Sequence, residues 1–322
     1  MTVRVKNGAP VRFEGVTVRY EEQTRPAVSN VRFDIEPGEF VVLLGPSGCG
    51  KSTLLRTVNR LIEPQSGHVF VDGTDNQSVD ATELRRSIGY VIQAVGLFAN
   101  MTIAQNIAVV PDLLHWERAR TDTRIDELLT LVDLEPATYR NRRPAELSGG
   151  EQQRVGVARA IAAQPRVLLM DEPFGAVDAI VRANLQRETK RIASVLETTI
   201  LFVTHDVDEA LQLADRIVVM QAGEVVQYDT PLALLTDPKT PFVAQLLDTH
   251  DIVRRLQLMR VADAMLDEVP PPGAPEIDGG ATLRESLILF LRGADRLSVT
   301  RDGQAVGTLE FDRVRSAIRK TA

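Results

Sequence analysis

Short apolar runs alternate along the chain with stretches that carry the 3.6-residue period of a helix. Residues 40–44, FVVLL, run into Gly45 and then into a helical pattern that begins near Lys51. A second strand lies in GYVIQAVGLF and ends at Gln93. Residues 167–170 stop at Asp171 and Glu172, and residues 200–203 stop at Thr204 and His205, just before a helix capped by Asp206. Strands interleaved with helices predict an α/β fold built on a parallel sheet, and open sheets of that kind bind ligands outside the carboxyl ends of their strands. Four strand ends are therefore expected on one rim.

The last quarter of the chain has a different texture. Residues 270–275, PPPGAP, form a stiff connector. Beyond it, residues 283–291 predict a helix opened by a Thr282/Glu285 capping box, with Leu283, Leu287, Phe290 and Leu291 along one side. Two β-type runs, 297–300 and 305–310, flank a turn containing Asp302 and Gly303, and a last helix is expected near Asp312. The pattern predicts a large domain over residues 1–248 and a small α+β domain over 249–322.

Composition narrows the class. With 322 residues, 44% of them apolar, the chain can bury a large core. No apolar run approaches the roughly 18 residues that span a bilayer, and the first ten residues offer no signal segment, so the chain is expected to stay on the cytoplasmic side. Cys49 is the single cysteine, which excludes an intrachain disulfide, and four histidines without a second thiol argue against a zinc site. A net charge of −7 without a basic stripe argues against a nucleic-acid partner.

The strand over 40–44 leads into GPSGCGKST, which fits G-x-x-x-x-G-K-[ST] from Gly45 to Ser52. In such a loop Gly45, Pro46, Ser47, Gly48, Cys49 and Gly50 let backbone N–H groups curl around phosphates at the start of a helix, with Lys51, Ser52 and Thr53 as its first residues. Lys51 can reach the β- and γ-phosphates, and the Ser52 hydroxyl can bind Mg²⁺. A phosphate loop also needs a carboxylate for the metal. Asp171 supplies one at the end of another strand, and Glu172 beside it is placed to act on an attacking water. His205 is expected on the same rim, near the γ-phosphate.

ELSGGEQQRVGVARA, residues 146–160, sets a serine and two glycines where a helix begins. Ser148 makes a good N-cap, and Val155, Ala158 and Ile161 are spaced for one face of the helix that follows. Alone, the motif reads as a cap. In a chain that already has one phosphate loop, Ser148, Gly149 and Gly150 form a second anion-binding helix start. The economical explanation is that it grips a nucleotide held by another copy.

Taken in order, Tyr20, GPSGCGKST, Gln93, LSGGEQQRV, LLMDEP, Asp178 and His205 resemble the ATP-binding cassette family of transport ATPases, over roughly residues 11–247. The resemblance implies a P-loop NTPase of the cassette type with a helical subdomain inserted at about 95–163. It implies that Tyr20 stacks on adenine, that Gln93 shares Mg²⁺ with Ser52 and Asp171, that Gln93, Glu172 and His205 are catalytic, and that Asp178 lies in a loop between subunits. ATP and Mg²⁺ are the expected cofactors. A second copy of the chain is the first expected partner, each ATP lying between the phosphate loop of one subunit and the LSGG of the other. Two integral-membrane permease subunits and an extracytoplasmic solute-binding protein complete the set, with this chain on the cytoplasmic face of the inner membrane.

Three longer stretches, VNRLIEPQSGHVFVDG, ELRRSIGYVIQAVGLFANMTIAQNIAVVP and ARAIAAQPRVLLMDEPFGAVDAI, look like the importer subfamily for quaternary-amine osmoprotectants such as glycine betaine, choline and carnitine. Ala94, the FAN at 98–100 and GAVDA depart from that subfamily's usual residues without removing a catalytic group. An importer of another small solute, such as an amino acid, is the alternative. Non-transport cassette ATPases fit less well: those of DNA repair insert a long coiled coil between Lys51 and Ser148, and translation-associated ones carry two cassettes. The helix, hairpin, helix order of the tail resembles a single CBS-type unit, a module that can bind adenine nucleotides or sense ions. A plain dimerisation or capping domain is its alternative.

Overall fold

The computed structural model of the chain describes residues 7–21, 24–92, 96–175 and 179–319; Gln93 and Asp178, both expected in the site, lie outside the described residues. The chain divides into two compact units, Met1–Tyr228 and Asp229–Ala322. Among the described residues no helix is long and apolar enough to cross a membrane.

The strands of the first unit are, in chain order, β1 (Val11–Val18), β2 (Val28–Ile35), β3 (Phe40–Leu44), β4 (Ser66–Val71), β5 (Thr74–Asp75), β6 (Ile88–Val91), β7 (Val167–Asp171), β8 (Thr199–Thr204), β9 (Arg216–Gln221) and β10 (Glu224–Asp229). They form a six-stranded sheet in the order β10-β9-β3-β8-β7-β6 and a four-stranded sheet in the order β2-β1-β4-β5. In the larger sheet β9, β3, β8, β7 and β6 pair in parallel, so their carboxyl ends share one rim. Every residue of β3, β7 and β8 is buried, which is why these strands read as unbroken apolar runs. The smaller sheet is antiparallel and its register is interrupted by bulges around residues 14–18. Val11, Phe13 and Phe33 of this sheet share a core with Val41, Leu43, Leu169 and Leu201 of the other, and the rings of Phe13 and Phe33 stack at 4.6 Å.

The helices of this unit are α1 (Lys51–Val58), α2 (Ala81–Ser87), α3 (Ile103–Leu113), α4 (Arg118–Leu131), α5 (Pro136–Tyr139), α6 (Gly149–Ala160), α7 (Ala179–Leu196) and α8 (Val207–Leu213). Leu54, Leu55 and Val58 place α1 in the shared core. Among the described residues between β6 and β7 the secondary structure is helical, from α3 to α6. Ser148 caps α6 in a capping box with Glu151, and Val155, Ala158 and Ile161 are fully buried, as their spacing predicts.

The second unit comprises α9 (Pro231–Thr236), α10 (Pro241–Leu247), α11 (Ile252–Leu258), α12 (Val261–Ala264), β11 (Glu276–Asp278), α13 (Leu283–Leu291), β12 (Arg296–Arg301), β13 (Gln304–Glu310) and α14 (Phe311–Arg319). Its sheet runs β11-β12-β13, parallel then antiparallel. Asp302 and Gly303, both at positive φ, make the hairpin turn. One expectation needs correction. Leu283 and Phe290 are in the core, but Leu291 is 77% exposed and does not share their side of α13. The inward stripe is Leu283, Ser286 and Phe290; Leu291 stands 100° around the helix from Phe290. Ser286 fits that stripe because its hydroxyl donates to the carbonyl of Leu283 at 2.8 Å.

Candidate active site

The rim at the carboxyl ends of β3, β7 and β8 gathers most of the predicted side chains. β3 ends at Leu44, and the loop from Gly45 to Gly50 turns the chain into α1. Gly50 stands at φ 103, and a Cβ there would run into the carbonyl of Ala27, so glycine is required both by conformation and by space. Lys51 is 5% exposed, and its ammonium donates to the carbonyls of Gly45 at 2.7 Å and Pro46 at 3.0 Å. The loop is braced from behind by the turn after β9, where the Gly223 N–H donates to the Cys49 carbonyl at 3.0 Å. Cys49 is buried, and burial pushes its thiol pKa up, which leaves it a packing residue.

Asp171 is the last residue of β7 and is buried. Its Oδ1 accepts the Ser52 hydroxyl at 2.6 Å, and its Oδ2 faces the Arg56 guanidinium at 2.9 Å with the Tyr90 hydroxyl at 3.5 Å. Burial pushes the Tyr90 phenol up, so it remains a donor. The next residue, Glu172, has a left-handed backbone at φ 44. Such a conformation is strained for a residue with a side chain and concentrates at functional sites. Its N–H donates to the Val203 carbonyl at 3.1 Å, and Oε2 lies 3.3 Å from Nδ1 of His205, which follows β8.

The phosphate loop, Ser52 and Glu172 border a cleft of about 450 Å³ lined also by Tyr20 and Gly223, among others; Asp171 and His205 are not among its lining residues. The Tyr20 hydroxyl is 3.1 Å from the Thr53 hydroxyl, and the ring is 42% exposed. Ser148, Gly149 and Gly150 are not among the residues lining the cleft. Ser148 and Gly149 are exposed on their own surface, and a Cβ added at Gly149 would meet nothing within 4 Å.

The oxygen pair of Ser52 and Asp171 is a hard donor set, and the described residues hold no group of three His, Cys, Asp or Glu side chains able to cage a metal. That suits Mg²⁺, which keeps water and phosphate oxygens and takes one or two protein ligands.

Sequence reasoning passed over Arg56 and Tyr90. Arg56 was accessible to it, since it lies four residues after Ser52 on α1 and so on the same helix face. Tyr90 reaches Asp171 only through tertiary structure.

The ABC transporter family model matches residues 28–175. The glycine betaine uptake system ATP-binding protein YehX of Escherichia coli (strain K12) is 50% identical over 288 residues, 88% of this chain and 93% of that protein. The choline transport ATP-binding protein OpuBA of Bacillus subtilis (strain 168) is 52% identical over 279 residues, 86% of this chain and 72% of that protein. Among solved structures, the dimeric post-hydrolysis ATP-binding cassette MJ0796, bound to ADP and Pi, matches with a TM-score of 0.61 at 33% identity, covering 69% of this chain and 98% of that one. Carrying the phosphate loop, the Asp171–Glu172 pair and half-identity to such relatives along most of its length, the chain belongs to the ABC transporter family.

Proposed function

We propose that the chain is the ATP-hydrolysing subunit of an importer for a quaternary-amine osmoprotectant. It works on the cytoplasmic face of the membrane with a second copy of itself, two permease subunits and a solute-binding protein. The meeting of Ser52 with Asp171 and of Glu172 with His205 on one rim carries the catalytic part of this reading. The solute class rests on the relatives, which are named for glycine betaine and choline.

In this reading the backbone of residues 45–50 cradles the phosphates, and Lys51 exchanges its two loop carbonyls for phosphate oxygens. Ser52 and Asp171 would hold Mg²⁺, which neutralises charge on the β- and γ-phosphates. Glu172 accepts a proton from the attacking water, and His205 steadies its carboxylate. Tyr20 offers its exposed ring to the base. Gly149 gains nothing from its own chain by being a glycine, which supports an approach from outside, by the nucleotide of the second subunit. The helix–hairpin–helix order of α13, β12, β13 and α14 supports reading the tail as a single CBS-type unit, and such a unit would pair with its own copy.

The test is Glu172→Gln in the full chain with its permease. ATP binding should persist, hydrolysis should fall by ~10²- to 10⁴-fold, and ATP-bound dimers should accumulate. Turnover near the parent's would sink the catalytic assignment. The same variant should stop uptake of labelled glycine betaine; betaine uptake unaffected while an amino acid's stops would move the chain to the alternative solute.

A further inference from the structure

Glu151, in the first turn of α6, is the hub of a small network. Tyr139, the last residue of α5, donates its phenolic O–H to Oε1 at 2.5 Å. Oε2 accepts both the backbone N–H and the hydroxyl of Ser148, each at 2.7 Å. The directions follow from charge, because an ionised carboxylate only accepts. Tyr139's hydrogen bond is the main reason that the pKa of Glu151 is pushed down to about 2, followed by the two from Ser148.

Tyr139 is itself held in place. The Arg142 guanidinium lies over its ring at 4.7 Å. The carbonyls of Arg140 and Arg142 accept the N–H groups of Ala104 and Ile103 at the start of α3. Asn106, fully buried, ties that start to the backbone of Phe98, Met101 and Thr102.

The hydroxyl that would meet the other subunit's nucleotide is therefore held by a carboxylate, and it has one hydrogen to give. Turning to a phosphate oxygen means leaving Glu151. The carboxylate then keeps two donors, the Ser148 N–H and the Tyr139 O–H. Without Tyr139 it would keep one, and the carboxylate, half-buried in the free chain, would hold the serine hydroxyl more firmly.

We propose that Tyr139 is a positioning residue for Ser148: it keeps the Glu151 carboxylate fixed and satisfied, so that the serine hydroxyl can pass to the nucleotide of the second subunit. This rests on the dimeric reading given under Proposed function and adds to it a device for the handover. It also keeps one anion from swinging toward another as the phosphate arrives.

The experiment uses the full chain carrying Glu172→Gln, with ATP-dependent dimerisation followed by analytical ultracentrifugation. Adding Tyr139→Phe, which keeps the ring under Arg142, should raise the ATP concentration for half-maximal dimer by about 3- to 10-fold. ATP affinity of the single subunit and the thermal midpoint should not move. With Glu151→Gln the anionic competitor is gone, and adding Tyr139→Phe to it should change nothing further. The proposal is overturned if Tyr139→Phe dimerises like its parent, if the two substitutions simply add, or if the loss of dimer tracks a fall in midpoint. A parent that binds ATP yet forms no dimer would instead sink the dimeric reading, and this proposal with it.

Discussion

At the scale of single residues, Glu209 stands apart from the residues that line the cleft. It is buried behind the turn that carries His205, where its oxygens accept from the Thr204 hydroxyl at 2.6 Å and the Gln186 amide at 3.0 Å. Thr204 in turn accepts the Asp206 N–H at 3.0 Å, which shapes the turn. Burial raises the pKa of Glu209 above the ordinary 4.5, against the pull of the Thr204 hydrogen bond. An acid with a raised folded pKa gives stability that is fully present below its unfolded pKa and is lost as pH rises through the folded one. Relative to Glu209→Gln, the wild-type chain should therefore lose stability as pH climbs from about 4.5 toward neutrality. Denaturant melts of both proteins across that range check it. A gap that stays constant with pH would mean that Glu209 titrates alike in the folded and unfolded chains.

Elements show where the chain's pattern speaks for itself. β3, β7 and β8 were legible because burial on both faces demands continuous apolar runs, and their ends delivered Lys51, Asp171, Glu172 and His205 to one rim. The four-stranded sheet was not, because bulges break its alternation. β11 is three residues long, too short for any periodicity. That Tyr90 meets Asp171 and Tyr139 meets Glu151 depends on which element lies beside which, and spacing along the chain does not carry that. α6 adds an element whose sequence works against its own stability: Gly149 occupies a helical position with open space around it. If the second subunit's phosphate comes up to this helix start as proposed, Gly149→Ala should leave the thermal midpoint unchanged or slightly raised while slowing ATP hydrolysis by at least ~10-fold, because a methyl group would block its close approach. Undiminished hydrolysis in that variant would show that nothing approaches there.

For the whole molecule, the second unit leaves apolar surface in the open. Ile288 and Leu291 of α13 are 49% and 77% exposed, and Phe311, whose ring meets Phe290 edge-on at 5.6 Å, is 38% exposed. A face of this kind suits a symmetric contact with the same face of a second copy. Ile288→Glu together with Leu291→Glu should weaken self-association in the absence of nucleotide and leave ATP binding by each subunit intact, since both side chains lie outside the core. Sedimentation of the full-length variant beside its parent decides between this and a tail that serves some other partner; equal association would discard the self-pairing.

The placing of β3 also bears on how the protein comes into being. This strand launches the phosphate loop, yet its neighbours in the sheet are β8 and β9, and the brace on Cys49 comes from Gly223. All of these supports are encoded about 150 residues or more after the loop that they hold. A chain emerging from the ribosome thus delivers its phosphate motif early and the walls of its phosphate site late. Until the turn at Gly223 has cleared the exit tunnel, the nascent subunit carries the motif without the pocket. Unfinished copies should consequently neither sequester nor burn ATP, and the activity should be acquired late in synthesis.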